Sequence, residues 1–399
     1  MTVARSGTTK NAGASDKDGQ APPVPLHKTH IDSNEHAYVR DAMQRGRVGA
    51  YGDYTARTEQ LIARRLAAPR VLLTHSCTAA LEIAALLTLQ PGDEVILPSF
   101  TFAGTATAFA RAGAQLVFVD IDPATLNIDV RAVAAAVTGR TRAIVAVHYA
   151  GVACDLAALK SIAAGASAVL IEDAAHSFGA SFDGRPLGTF APLAAVSFHE
   201  TKNVTSGEGG ALVINDAALT MRAQIVRDRG TNRDQFFRNE IDSYTWVELG
   251  SAFAPSDLIA AALLAQIERV DEITAVRRRF WDRYHAAFSP AERAGLARRP
   301  VVPAGAQHNG HIYYLLLPDA ARRRTFLQSL NRQGIGAAFH YVPLHSSPAG
   351  LRYGRASGSL DTTEDIAARL VRLPLHLEMS EHDQSRVIDA AIRALGAAS

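Results

Sequence analysis

Between residues 71 and 216 the chain alternates short runs of apolar and β-branched residues with longer segments whose apolar positions recur at helical spacing. The short runs are "VLLTH" (71–75), "DEVILPS" (93–99), "QLVFVDI" (115–121), "AIVAVHY" (143–149), "AVLIED" (168–173), "LAAVSFH" (193–199) and "GALVIND" (210–216). Each is of strand length and almost wholly apolar, as expected for strands buried on both faces. "CTAALEIAALLTL", "FAGTATAFARAG", "DVRAVAAAVTG" and "DLAALKSIAAGA" read as the helices between them. Strands joined by helical crossovers predict an α/β fold with a mostly parallel seven-stranded sheet. In such sheets ligands bind beyond the carboxyl ends of the strands.

After about residue 270 the pattern changes. "VDEITAVRRRFWDRYHAAF" predicts a long, charged amphipathic helix over 271–287. Pro- and Gly-rich connections, two strand candidates ("HIYYLLLP" and "GIGAAFHYV") and closing helices then predict a smaller C-terminal α+β domain. The chain therefore divides into a tail (1–24), a large domain (25–272) and a small domain (273–399). The tail is rich in Gly, Ser, Ala, Thr and Lys and reads as disordered. It lacks the apolar core of a secretory leader.

Composition narrows the function classes. Apolar residues make up 48% and charged residues 20%, ordinary for a soluble globular protein. A net charge of +2 with scattered basic residues gives no nucleic-acid surface. No apolar stretch of membrane-spanning length is uninterrupted, so no membrane partner is expected. Two cysteines, Cys77 and Cys154, build no disulfide framework, which fits a cytoplasmic location.

The chemistry-bearing residues fall at the ends of the predicted strands. "THSCTAALE" runs from a strand into an apolar helix, so Ser76, Cys77 and Thr78 lie at a helix N-terminus that favours an anion. "LIEDAAHSFGA" ends a strand on two acids, and a buried carboxylate needs a cation or donors; Asp173 suits a protonated ring nitrogen, with His176 close by. "LPSFTFAG" places Phe100 and Phe102 where a ring can stack on a planar ligand. "SFHETKNVTSGEGG" sets Lys202 in a loop between Thr201 and Thr205, with Ser197 upstream and glycines at 207, 209 and 210. Taken singly, each has a plainer explanation: a helix cap, core packing or a solvated loop lysine. Taken together they describe a site for pyridoxal phosphate (PLP), whose phosphate, ring nitrogen and aldehyde need an anion site, an acid and an amine. "HNGH" (308–311) and "HYVPLH" (340–345) lack a third ligand and zinc spacing, so no metal is expected.

"SCTAALE", "GDEVILPSFTF", "EDAAHSFG", "SFHETKN" and "GEGGALV" resemble, in order and spacing, the DegT/DnrJ/EryC/StrS sugar aminotransferases, a branch of the fold type I PLP enzymes. The resemblance runs from about residue 25 to the end. It implies Lys202 as the Schiff-base lysine, Asp173 at the pyridine nitrogen and His176 at the ring hydroxyl. It implies Cys77, Thr78 and Ser197 at the phosphate and Phe102 stacked on the ring. The implied reaction moves an amino group from glutamate to a nucleotide-linked 4-keto-6-deoxyhexose, for cell-surface polysaccharide or glycosylated metabolites. "VHYAGVACD", "RDRGTNRDQFFR", "YTWVELGS" and "HYVPLHSSPAG" look closest to the branch that makes dTDP-4-amino-4,6-dideoxygalactose. Arg229, Arg233 and Arg238 offer cations for a sugar-nucleotide pyrophosphate, and His340 and Tyr341 approach the sugar from the small domain. A homodimer with shared active sites is implied as well. Where many members carry a phosphate-binding Asn that reaches across the dimer, this chain has "GSAFAPS", which leaves Ser251 as the candidate replacement; Ile259 stands where Gln is usual. Members that dehydrate at C3 replace the lysine with histidine, so retention of Lys202 favours transamination.

Overall fold

The computed structural model describes residues 22–396, so most of the predicted tail lies outside the described residues. Strands β1 (Arg70–Thr74), β2 (Glu94–Pro98), β3 (Gln115–Val119), β4 (Thr141–Val147) and β5 (Val169–Asp173) come first. A short hairpin of β6 (Ser181–Phe182) and β7 (Arg185–Pro186) separates them from β8 (Leu193–Ser197) and β9 (Gly210–Ile214). The C-terminal part adds β10 (Ala306–Gln307), β11 (Tyr313–Leu316), β12 (Gly354–Ala356) and β13 (Leu370–Leu373).

The central sheet has eight strands in the order β1-β9-β8-β5-β4-β2-β3-β12. Only β9 runs against its neighbours. All seven predicted strands are present; the eighth, β12, is an addition from the C-terminal part. It pairs in parallel with β3. Three residues, "GRA", carry no apolar run, so the sequence gives no strand signal there. Gly354 makes the pairing possible, since a Cβ at that position would stand 2.7 Å from the Leu116 carbonyl oxygen.

Helices α1 (Ser33–Gln44) and α2 (Asp53–Leu66) precede β1, and α3 (Cys77–Thr88) and α4 (Ala103–Arg111) connect β1 to β2 and β2 to β3. The most apolar of these, α3, packs on β8 and β9 on one side and α4 on another, which explains its lack of a polar face. Its start is capped by the Ser76 hydroxyl, which accepts from the Ala79 N–H at 3.1 Å. Among the described residues no helix is long and apolar enough to cross a membrane.

A second apolar cluster gathers Phe280, Trp281, Tyr284, Tyr313, Phe326, Leu330, Val371 and Val387. The predicted long helix appears as Val270–Ala287 and supplies the first three. "HIYYLLLP" forms β11 as expected, but "GIGAAFHYV" forms no strand. Its backbone makes only isolated bridges, Val24–Ile335 and Ala338–Arg372. The partner of β11 is instead β13, a four-residue run read as part of the closing helices. The reason is a contact with a distant segment: residue 336 lies against Val24–Leu26, where a Cβ would sit 2.6 Å from the Leu26 nitrogen, so this stretch is taken up there.

The C-terminal part folds back over the carboxyl ends of the parallel strands. Leu344 N–H donates to the Ser99 carbonyl at 3.1 Å, and the Ser99 hydroxyl meets His345 Nδ1 at 2.8 Å. That closure turns a row of strand ends into a cleft.

Candidate active site

The cleft encloses about 720 Å³ and is lined from both parts of the chain. Cys77, Thr78, Phe102, Asp173, His176, Ser197, Lys202, His340 and Tyr341 all face it.

One end is an anion cup. Cys77 and Thr78 occupy the first turn of α3, where backbone N–H groups lack intrahelical acceptors. Ser197, the last residue of β8, closes the other side. Glycine is required here. A Cβ on Gly210 would stand 2.4 Å from the Cys77 nitrogen, and one on Gly104 would stand 2.6 Å from Thr78 Oγ1. Any side chain at either position would fill the cup.

Asp173 ends β5 with its carboxylate buried. It accepts from Thr105 Oγ1 at 2.7 Å and from the Ala175 N–H at 3.1 Å. Burial raises its pKa, against the pull of these donors and of the Lys202 charge. The adjacent acid, Glu172, points to the opposite face of β5. There it accepts from the N–H groups of Gly188, Phe190 and Ala191 and meets His148 Nε2 at 2.9 Å. The two strand-end acids thus divide the work: Glu172 is satisfied by protein, whereas Asp173 has no cation hydrogen-bonded to it among the described residues.

Lys202 sits in a loop held at several points. Its N–H donates to the His199 carbonyl at 2.9 Å, and Ser206 N–H and Thr205 Oγ1 both bond the Phe198 carbonyl. Next to it, Asn203 bonds the Asn309 carbonyl and accepts from His311 Nδ1, tying the loop to the C-terminal part. The amine itself has no hydrogen bond or ion pair among the described residues. Burial lowers its pKa from 10.5 to about 8, opposed by Cys77 and Asp173. Only the free amine attacks an aldehyde, so PLP uptake by the cofactor-free protein should accelerate with pH and level off near pH 8. Stopped-flow absorbance across pH 6–11 checks this; a rate that climbs until above pH 10 would mean an ordinary exposed lysine.

Facing Lys202 are rings from both parts of the chain. His176 Nδ1 accepts from the Ala150 N–H, which leaves the ring proton on Nε2, 3.2 Å from the Tyr341 hydroxyl. Tyr149 Oη lies 3.1 Å from His340 Nδ1. Burial pushes His176, His311 and His340 well below the usual histidine range, so all three are neutral. Phe102 is 63% exposed and presents its ring to the cleft rather than to the core.

Four predicted residues lie elsewhere in this chain. Ser251 is exposed, and its backbone bonds Val226 and Arg229. Arg229 pairs with Asp228, Arg233 lies over the Phe237 ring, and Arg238 pairs with Glu240. The physical reason is that 229–250 form a surface excursion, pinned at its base by the Asp228–Ala252 and Thr231–Trp246 bridges. It exposes Phe237, Tyr244, Trp246 and Leu249. In "HNGH", His308 packs on Trp281 and His311 bonds Asn203. Thr105, Tyr149, His311, Arg277 and Arg372 also belong to the site or its support and were missed from sequence. Thr105 alone had a signal, a hydroxyl in the first turn of the helix after Phe102.

The model for the DegT/DnrJ/EryC1/StrS aminotransferase family matches residues 29–392, and the chain belongs to that family. It is 31% identical to the spore coat polysaccharide biosynthesis protein SpsC of Bacillus subtilis, over 92% of this chain and 96% of that protein. The crystal structure of the aminotransferase TlmJ from Streptoalloteichus hindustanus superposes with a TM-score of 0.86 at 32% identity, covering 94% of this chain and 99% of the other. Spr1654 from Streptococcus pneumoniae, in its PLP form, superposes with a TM-score of 0.85 at 25% identity, over 95% and 100% of the two chains. The chain is a PLP-dependent aminotransferase. Its residues fit the cofactor: among the described residues, an unpartnered amine on the cleft, a buried carboxylate without a bonded cation, and a cup kept open by two glycines.

Proposed function

We propose that the enzyme moves an amino group from glutamate to C4 of a dTDP-linked 4-keto-6-deoxyglucose, giving the 4-amino-4,6-dideoxygalactose product. The observation that carries this reading is the meeting of Tyr149, from "VHYAGVACD", with His340 and Tyr341, from "HYVPLHSSPAG". The strings that look closest to that one branch of the family meet at the cleft wall, where His340 and Tyr341 line the cleft and Tyr149 packs behind them. SpsC, a polysaccharide biosynthesis protein, supports a sugar acceptor.

When bound, PLP supplies an aldehyde for amines and a ring that takes up electrons from the adjacent carbon. Cys77, Thr78 and Ser197 would hold its phosphate, and Phe102 would cover one ring face. Asp173 keeps the ring nitrogen protonated. Lys202 would hold the aldehyde and, once free, would serve as the proton carrier at the donor α-carbon, first as base and then as acid. His176, neutral and with its proton on Nε2, orients the ring hydroxyl together with Tyr341.

The reading includes a cytoplasmic homodimer in which Ser251 and Arg229, Arg233 and Arg238 serve the partner's cleft. The exposed apolar side chains of the 229–250 excursion support this, because such a surface needs cover. The domain division at 272/273 belongs to the same reading, with helix Val270–Ala287 as the link. The test is product identification by NMR after incubating holoenzyme with glutamate and a panel of dTDP- and GDP-linked keto-sugars. Amination of the dTDP-4-keto substrate with galacto configuration is expected. Amination at C3, or only of a GDP sugar, would refute the assignment.

A further inference from the structure

His176 keeps its Nδ1 unprotonated because one backbone group, the Ala150 N–H, donates to it at 3.3 Å. That N–H comes from the sharp turn after β4, where Ala150 and Gly151 both take left-handed backbone, with φ of 56° and 80°. Glycine adopts this conformation freely, whereas in alanine the Cβ crowds the following carbonyl oxygen. Residue 151 has to be glycine on its own account: a Cβ there would stand 2.3 Å from Asn309 Oδ1 and 3.1 Å from the His176 carbonyl oxygen. An alanine in left-handed backbone persists only where its surroundings hold it.

Asn127, buried in the loop after β3, does the holding. Its Nδ2 donates to the Val152 and Ala153 carbonyls at 3.1 and 2.9 Å, and its Oδ1 accepts from the Tyr149 N–H at 2.9 Å. The left-handed pair is therefore clasped from before and behind by one amide. These partners also fix which way the amide points, since a flipped group would set its oxygen against two carbonyls. Apart from His176 itself, Asn127 is the one side chain among the described residues that hydrogen-bonds the backbone of 149–153. The ring is held from its own side by Asn309, whose Nδ2 donates to the His176 and Phe178 carbonyls at 2.9 Å. Asn127 does not line the cleft.

We propose that Asn127 is a positioning residue for His176: by clamping the 149–153 turn it holds the Ala150 N–H on Nδ1 and so keeps the Nε2 proton available to the ring hydroxyl of the cofactor. Without that N–H a neutral imidazole divides between two tautomers, and one of them turns a lone pair instead of a donor toward the hydroxyl. The inference goes beyond the role of His176 proposed above and rests on it.

Histidine labelled with 15N in the cofactor-free protein reads the tautomer directly, with His176→Gln assigning the signal. Wild type should show Nδ1 bare and Nε2 protonated, and in Asn127→Ala both shifts should move toward averaged values. In holoenzyme a donor at the ring oxygen favours the anionic form of that oxygen. The pH midpoint of the PLP absorbance should accordingly rise by about one unit in Asn127→Ala. Asn127→Ala/Ala150→Gly should recover much of both readings, because glycine keeps the left-handed turn without the clamp. A role confined to stability gives no reason for that recovery. A protonated Nδ1 in wild type overturns the inference, whether or not the variants fold. An unchanged His176 signal in Asn127→Ala overturns it as well, as does a changed signal that Ala150→Gly fails to restore. A tautomer that is lost and restored while the absorbance midpoint never moves would sustain the clamp and refute the placing of His176 at the ring hydroxyl.

Discussion

Lys202→Ala should lower steady-state transamination by about 10⁴-fold or more, while the protein still takes up PLP. The loss is large because one side chain both carries the aldehyde and moves the proton, and proton transfer by a positioned group alone contributes about 10²–10⁴-fold. Cofactor uptake survives because the cup at Cys77, Thr78 and Ser197 and the carboxylate of Asp173 do not depend on the lysine. The loop keeps its shape as well, since it is tied through its backbone, Thr205 and Asn203 rather than through the amine. Borohydride should fix cofactor to residue 202 in the wild type and leave the variant unlabelled. Turnover within tenfold of wild type would overturn the assignment.

Asp173→Asn is expected to cost about 10²–10³-fold in turnover. A carboxylate beside a ring nitrogen shifts its protonation by roughly 1–3 pK units, and the neutral amide gives up that shift while keeping the size of the side chain. Stability should move the other way. Burial holds the Asp173 carboxyl above its usual range, so ionised Asp173 is a penalty in the cofactor-free fold. A carboxyl whose folded pKa is raised binds more protons folded than unfolded through its titration window, and stability falls as pH rises through it. Removing the charge removes that loss. Cofactor-free Asp173→Asn should therefore melt at or above the wild-type temperature at neutral pH. Reduced turnover with a lower melting temperature would point to simple unfolding instead. The pair of measurements distinguishes a cofactor partner from a structural acid such as Glu172, whose removal would leave His148 and three backbone N–H groups unpaired.

How far the site was legible depends on what each residue needs from its neighbours. Ser76–Thr78, Asp173, Ser197 and Lys202 each stand where a strand ends, and strand ends are visible as the close of an apolar run. Their grouping follows because parallel strands joined by crossovers put all carboxyl ends on one side. Arg372 offered no such mark. It sits in a four-residue run, among apolar residues, 170 positions from Lys202, and only the antiparallel pairing of β13 with β11 turns it toward the cleft. The same holds for β12, whose pairing depends on a missing side chain at Gly354 rather than on any apolar residue. The arginines at 229, 233 and 238 show the converse: a sequence rich in cations, which the chain's own fold carries away from the cleft.

The linear order of apolar runs was enough to determine the α/β class, the seven principal strands and which loops carry the chemistry, because periodicity and burial are local consequences of side-chain type. Tertiary structure alone decided which of two adjacent acids faces the cleft, where the C-terminal part closes it, and that one arginine there, Arg372, is left without a side-chain partner among the described residues. Those outcomes depend on strand register and on contacts between segments far apart in the chain, and no local pattern encodes either.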